Sequence, residues 1–330
     1  MADDVQKPKE TMRLGLTEDW VGRNLLMPAI RTPLVPVVAV GFMVVFWFVG
    51  GLIDYPFDER FQPSLLWQPM GVAKVLVVAV TLVVLTLIGT AILGRLRYDA
   101  GWAVATVGLV GLRLRAGDST FALLQEKSSI FLWLSIELLL LGLLVLAGWQ
   151  ALHILRERGS QRPWIKRLLE LPTPQARLAD RKASADGRPQ QLLATGASVL
   201  VMGLVVLLLC RSEDRVQTMA SVGIGAWAGA FLVQGFLVPT RPAIWFLISP
   251  IICGVLGYAV AMVMTSPEQL ASGEVGGPLA ALARPMPLDW IAAGLPMTLL
   301  AYVMQRTKQL NEVIEQQSDA DVETEAATPS

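Results

Sequence analysis

Histidine is nearly absent from this chain, with His153 the single instance. Bis-histidine haem ligation, a zinc site of the HExxH kind and a Ser-His dyad therefore all lack material. Cysteine is almost as scarce. Cys210 and Cys253 make no CxxC, zinc spacing or disulfide framework, and each lies in or beside an apolar run, where a free thiol packs as a small hydrophobe. No GxxxxGK[ST] loop occurs, which excludes nucleotide hydrolysis through a P-loop. No apolar run carries an arginine ladder of the kind a voltage sensor needs. Charged residues make up only 16% of the chain and balance to zero, so no global field points to nucleic acid as a partner. No catalytic residue, metal or cofactor is expected on these grounds, and a non-catalytic role is favoured over an enzymatic one.

What is plentiful is apolar sequence. Hydrophobic residues form 54% of the 330 and the mean hydropathy is +0.54, with the excess gathered into long uninterrupted runs. That composition belongs to an integral membrane protein, and the helical alternative fits the run lengths: an all-α, polytopic transmembrane helix bundle. Spans are expected near residues 33–53, 72–94, 98–112 and 130–151 in a first membrane half. A second half holds spans near 191–210, 216–238, 243–264 and 288–304. Residues 1–32 read as a cytoplasmic segment with an interfacial helix capped at Thr17, 153–190 as a basic cytoplasmic loop, and 305–330 as an acidic, partly disordered tail.

The segment 98–112 decides the topology. At about 1.5 Å per residue it reaches only about 22 Å, short for a bilayer core of about 30 Å. Its apolar residues nevertheless point all around a helix, which a surface helix would not do. Arg95 and Arg97 precede it and Arg113 and Arg115 follow, each long enough to reach the interface from a short helix. With this segment outside the membrane, seven spans divide the 27 Lys and Arg 14 to 13 between the two sides. With it inside, eight spans divide them 19 to 8 and put both termini in the cytoplasm, which is the asymmetry the positive-inside rule expects. The eight-span arrangement is the one adopted, in a bacterial cytoplasmic (inner) membrane.

Few residues stand out as sites. Glu137 is the one acid placed well inside an apolar run, about 10 Å deep, where an ionised carboxylate is costly unless protonated or paired. Asp54, Asp99 and Asp289 sit at span ends without matched depth. Gly225 and Gly229 in the sixth span, and Gly257 and Ala261 in the seventh, present small residues four apart and are candidates for close helix packing. Pro250 and Pro296 are candidate kinks, since each removes a backbone donor. In 163–171, Trp164, Ile165, Leu168, Leu169 and Leu171 share one arc of a helical wheel and Lys166 and Arg167 the other, so the segment reads as a surface helix holding anionic headgroups. The patch Leu279–Ala283, in the last connector, could touch the bilayer or cover an external vestibule.

Three functions fit these features. The one they favour is a non-catalytic helical scaffold, anchor or subunit of a membrane assembly, with the lipid bilayer and other proteins of that assembly as partners. The alternative is a small-solute or ion transporter or channel using Glu137 and the Pro250 and Pro296 kinks. A weaker alternative is an interfacial lipid-modifying enzyme.

Overall fold

The computed structural model describes residues 33–53, 71–93, 99–115, 129–159, 188–212, 214–238, 240, 243–266, 268–269, 275 and 279–309, with the side chains of 153 and 155–159 excepted. Among the described residues there is no strand, and eight long helices follow one another. These are α1 Leu34–Ile53, α2 Gly71–Leu93, α3 Ala100–Arg115, α4 Ile130–Gly159, α5 Arg188–Leu209, α6 Arg215–Leu237, α7 Ile244–Met264 and α8 Pro287–Gln309. All but α3 are long and apolar enough to cross a bilayer, so the chain is a helix bundle of the multi-pass membrane type. The interfacial helix from Thr17, the amphipathic segment 163–171 with Lys166 and Arg167, and the tail beyond 309 lie outside the described residues.

The short helix α3 is interior. Ten of its 16 residues are buried, against four of 20 in α1. Its path can be read from its glycines, which let neighbouring backbones come close. A Cβ on Gly101 would strike Thr90 near the end of α2, a Cβ on Gly108 would sit 3.0 Å from Phe42 and Phe46 of α1, and one on Gly111 would strike the Met43 carbonyl. Further along, Leu112 and Arg115 pack on Gly50, close to the end of α1. α3 therefore starts beside the end of α2 and finishes beside the end of α1, so it runs back through the same layer, parallel to α1 and antiparallel to α2. It thus packs alongside the spanning helices, although at 16 residues it is shorter than the seven that are long enough to cross. The helix also extends to Arg115, beyond the 98–112 read from sequence, and this puts Arg113 inside its last turn rather than after it. At the other end of the first half, α4 runs to Gly159 and not to about 151, into the region read as loop.

Polar side chains within the helices mostly fold back on their own backbone. Thr90 donates to the Thr86 carbonyl, Thr106 to Trp102 and Ser135 to Phe131, which satisfies each hydroxyl without water. Helix ends are treated likewise. Asp214 caps α6, accepting the backbone N–H of Val216 and of Gln217 at 2.9 Å. α7 is interrupted at Ile248, two residues before Pro250, and resumes with Pro250 in the first turn of the new segment, where a missing N–H costs little. In α8, Trp290–Gly294 is wound as a π-helix just upstream of Pro296, the wider turn accommodating a backbone that lacks the proline donor.

Candidate functional site

The ends of α1, α3, α5 and α7 and the starts of α4, α6 and α8 share one face of the bundle, and the buried charges lie just beneath it. α3 ends there with Arg113 in its last turn, and α8 begins there with Asp289 in its first. Each charge suits its helix terminus, because the C-terminal dipole favours a cation and the N-terminal dipole an anion. The two termini meet. Arg113 Nε donates to Asp289 Oδ1 at 2.8 Å, with the side chains 3% and 0% exposed. The other carboxylate oxygen, Oδ2, accepts the Met286 backbone N–H at 2.8 Å, as one half of a capping box does. The Thr218 hydroxyl lies 3.2 Å from the same oxygen and 3.0 Å from the Arg215 carbonyl, sharing its one proton between them. Arg215 in turn donates to the Leu114 carbonyl at 2.5 Å. One carboxylate thus ties α3, from the first half of the chain, to α6 and α8 from the second.

A second tier lies deeper. Glu137 on α4 is fully buried seven residues from the helix start, and Tyr258 on α7 is fully buried six residues from its end, so both sit about 10 Å in. Gly254, one turn from Tyr258, makes the approach possible: a Cβ there would sit 2.5 Å from Leu138 and 2.9 Å from the Trp290 indole nitrogen. The Tyr258 hydroxyl donates to the Pro285 carbonyl at 2.5 Å and is close enough to Asp289, Glu137 and Arg113 to feel the charge of each. Among the described residues no three His, Cys, Asp or Glu side chains gather as metal ligands.

No protein-family model matches the chain, and no curated protein or solved structure is detectably similar to it. Its chemistry has to be read from the side chains alone. An ion pair, a carboxyl group and a phenol can hold helices together or hand hydrogen bonds along.

Two readings of single residues change. Arg113 does not reach out to the interface but turns inward, and Asp289, read as an acid at a span end with no acidic partner for a dyad, is paired with it. Glu137 is accordingly not the sole buried acid. The other candidates are distributed over the second half. A Cβ on Gly225 would lie 2.9 Å from Val206 and 3.0 Å from the Met202 carbonyl, and one on Gly229 would lie 2.8 Å from the Ser198 carbonyl, so both glycines face α5. Gly257 differs from the helix-packing expectation. A Cβ there would meet the Leu282 carbonyl at 2.5 Å, so this glycine receives the short helical turn Ala280–Ala283 ahead of α8 and not another long helix, while Ala261 is buried one turn on. Pro250 packs against Gly294 of α8.

Proposed function

We propose that this protein is a non-catalytic helical scaffold, anchor or subunit of an assembly in a bacterial cytoplasmic membrane. The observation that carries the reading is the closure of the polar seam: the Asp289 carboxylate takes up Arg113, the Met286 amide and a share of Thr218, and so locks the two halves of the chain to each other. A group held this way serves cohesion. The helices around it leave broad apolar faces, among them Val37, Val40, Phe48 and Leu52 of α1 and Leu192, Leu200 and Leu204 of α5, for lipid and for neighbouring spans.

The same face supports the topology. Five of the eight cations that the eight-span arrangement puts outside are held by the fold: Arg113 on Asp289, Arg115 over the Trp47 ring at 4.9 Å, Arg211 on the Leu208 carbonyl, Arg215 on Leu114 and Arg284 on Cys210. They have structural reasons to be there, which strengthens the case for placing both termini in the cytoplasm. A reporter fused after Arg115 is then external, and fusions at Arg181 and the C-terminus are cytoplasmic; a cytoplasmic signal at Arg115 overturns this topology.

Purification in mild detergent tests the function. A partner at fixed stoichiometry is expected, and a lone monomer counts against the scaffold. One observation favours a second reading, transport of a small solute or ion: buried Glu137 and Tyr258 lie between an interrupted α7 and the π-wound turns of α8, irregularities common in helices that line sites. Flux into proteoliposomes that depends on pH and is abolished by Glu137→Gln would decide for it.

A further inference from the structure

Residues 279–286, just ahead of α8, turn down into the bundle instead of crossing its surface. Leu282, Ala283 and Met286 are 8%, 0% and 1% exposed, and the Leu282 backbone fits against α7 only because position 257 is glycine. Three hydrogen bonds fasten this stretch, each to a different element. The Tyr258 hydroxyl of α7 donates to the Pro285 carbonyl at 2.5 Å, Arg284 Nη1 donates to the Cys210 carbonyl at the end of α5 at 2.8 Å, and the Met286 N–H donates to Asp289 of α8 at 2.8 Å. Two of these bonds join the stretch to groups on other helices through a single side chain, and the third ties its last residue, Met286, to the Asp289 carboxylate that holds Arg113.

We propose that residues 279–286 form a plug, latched by Tyr258 and Arg284, that closes the buried Arg113, Asp289 and Glu137 cluster to water from the adjoining face, and that unlatching is the opening motion built into this fold. The proposal goes beyond either reading of function: an opened plug is an assembly-sensitive joint in a scaffold and a gate in a transporter.

The chain carries its own reporter. Cys210, whose carbonyl the plug arginine holds, is fully buried, and burial pushes its thiol up to about 11, so it reacts only when exposed. The full-length protein in detergent is treated with a membrane-impermeant charged maleimide, and labelling of Cys210 and Cys253 is followed by mass spectrometry. Tyr258→Phe and Arg284→Gln should each speed Cys210 labelling at least about tenfold while Cys253 stays unlabelled, and Arg284→Lys should recover part of the protection. The direction is diagnostic, because Arg284 lowers the Cys210 pKa and its loss by electrostatics alone would slow the reaction. Arg211→Gln is the control. It frees the Leu208 carbonyl on the same helix end and removes no hydrogen bond to residues 279–286, and it should leave the rate as in the native chain. Unchanged labelling in both latch variants, an equal rise in Arg211→Gln, or parallel labelling of Cys253 would each overturn the plug. If the latch variants do not fold, hydrogen exchange in the native chain decides: amides of Leu282, Ala283, Arg284 and Met286 exchanging faster than those of α7 around Tyr258 support a separate opening, and equal rates refute it.

Discussion

α1 and α8 are close in length and opposite in placement. α1 has a mean hydropathy of 2.3 with 22% of its span buried in the bundle, whereas α8 has 1.3 with 78% buried. In water the order would be reversed, because expulsion of apolar surface drives the most hydrophobic element inward. A bilayer removes that force, since lipid tails are as apolar as leucine, and helices are sorted by packing and by polar groups that need partners. α8 carries Asp289, Trp290, Thr298 and Gln305, all under 5% exposed, and α1 turns Val37, Val40, Phe48 and Leu52 outward at 58–78%. The difference teaches that of these two the less apolar helix organises the bundle, and that hydropathy alone does not rank the rest, since α7 at 2.2 is 56% buried where α1 at 2.3 is 22%.

The strongest way to break this contrast is at the ion pair. Asp289→Ala leaves the Arg113 guanidinium buried without its carboxylate and should cost about 3–5 kcal/mol in denaturant unfolding in mixed micelles. Replacing both partners, Arg113→Leu with Asp289→Leu, should recover most of that loss, since an apolar pair of similar volume avoids both desolvation penalties. A single Asp289→Ala that melts like the native chain would mean that α8 is held by packing alone.

The second test compares glycines on the interior and lipid sides. Gly111→Ala on α3 drives a methyl group into the Met43 carbonyl and should cost about 1–3 kcal/mol by overpacking. Gly41→Ala on α1 has nothing within 4 Å and should be neutral or gain up to about 1 kcal/mol from helix propensity. Detergent melting temperatures that fall together for both variants would remove the distinction between the two helix environments.

Smaller effects are expected at Glu137. Glu137→Gln keeps the shape and a donor and should be nearly silent, while Glu137→Leu should loosen the α4–α7–α8 contact by less than about 2 kcal/mol. Melting of both variants across pH separates the cases, and a markedly unstable Gln variant would mean that the carboxylate is ionised in place. Smallest of all is Val40→Ala on α1, expected within about 0.5 kcal/mol because lipid methylenes replace those removed. A larger loss would mark that face as covered by something better packed than lipid.

Most helices were legible because a span announces itself by length. Seven runs of about 20 apolar residues have one explanation in a polytopic chain. α3 was harder, since at 16 residues length left three possibilities, and only its glycines, each admitting a backbone or ring of α1 or α2, place it inside. The polar seam was not read at all. Arg113 and Asp289 stand 176 residues apart, each looking like an ordinary boundary charge. A signal for them existed: the eight-span arrangement already sets the end of α3 and the start of α8 on one face, each with a charge that suits its helix terminus and complements the other. The connector escaped for a different reason, because Leu279–Ala283 is apolar enough to lie against lipid or protein and nothing local chooses between them.

By itself the sequence determined that this chain crosses a membrane many times as helices, where those helices lie, and, through the scarcity of histidine and cysteine, which chemistries are closed to it. Those properties depend on local length and composition, because each helix must satisfy its own backbone before it meets any neighbour. Tertiary structure alone decided which helix is central, which charges pair, and that residues 282–286 pack into the bundle. Those outcomes depend on which helix ends share a face and how closely their backbones approach, and contacts between distant parts of a chain are set by geometry that no single segment contains.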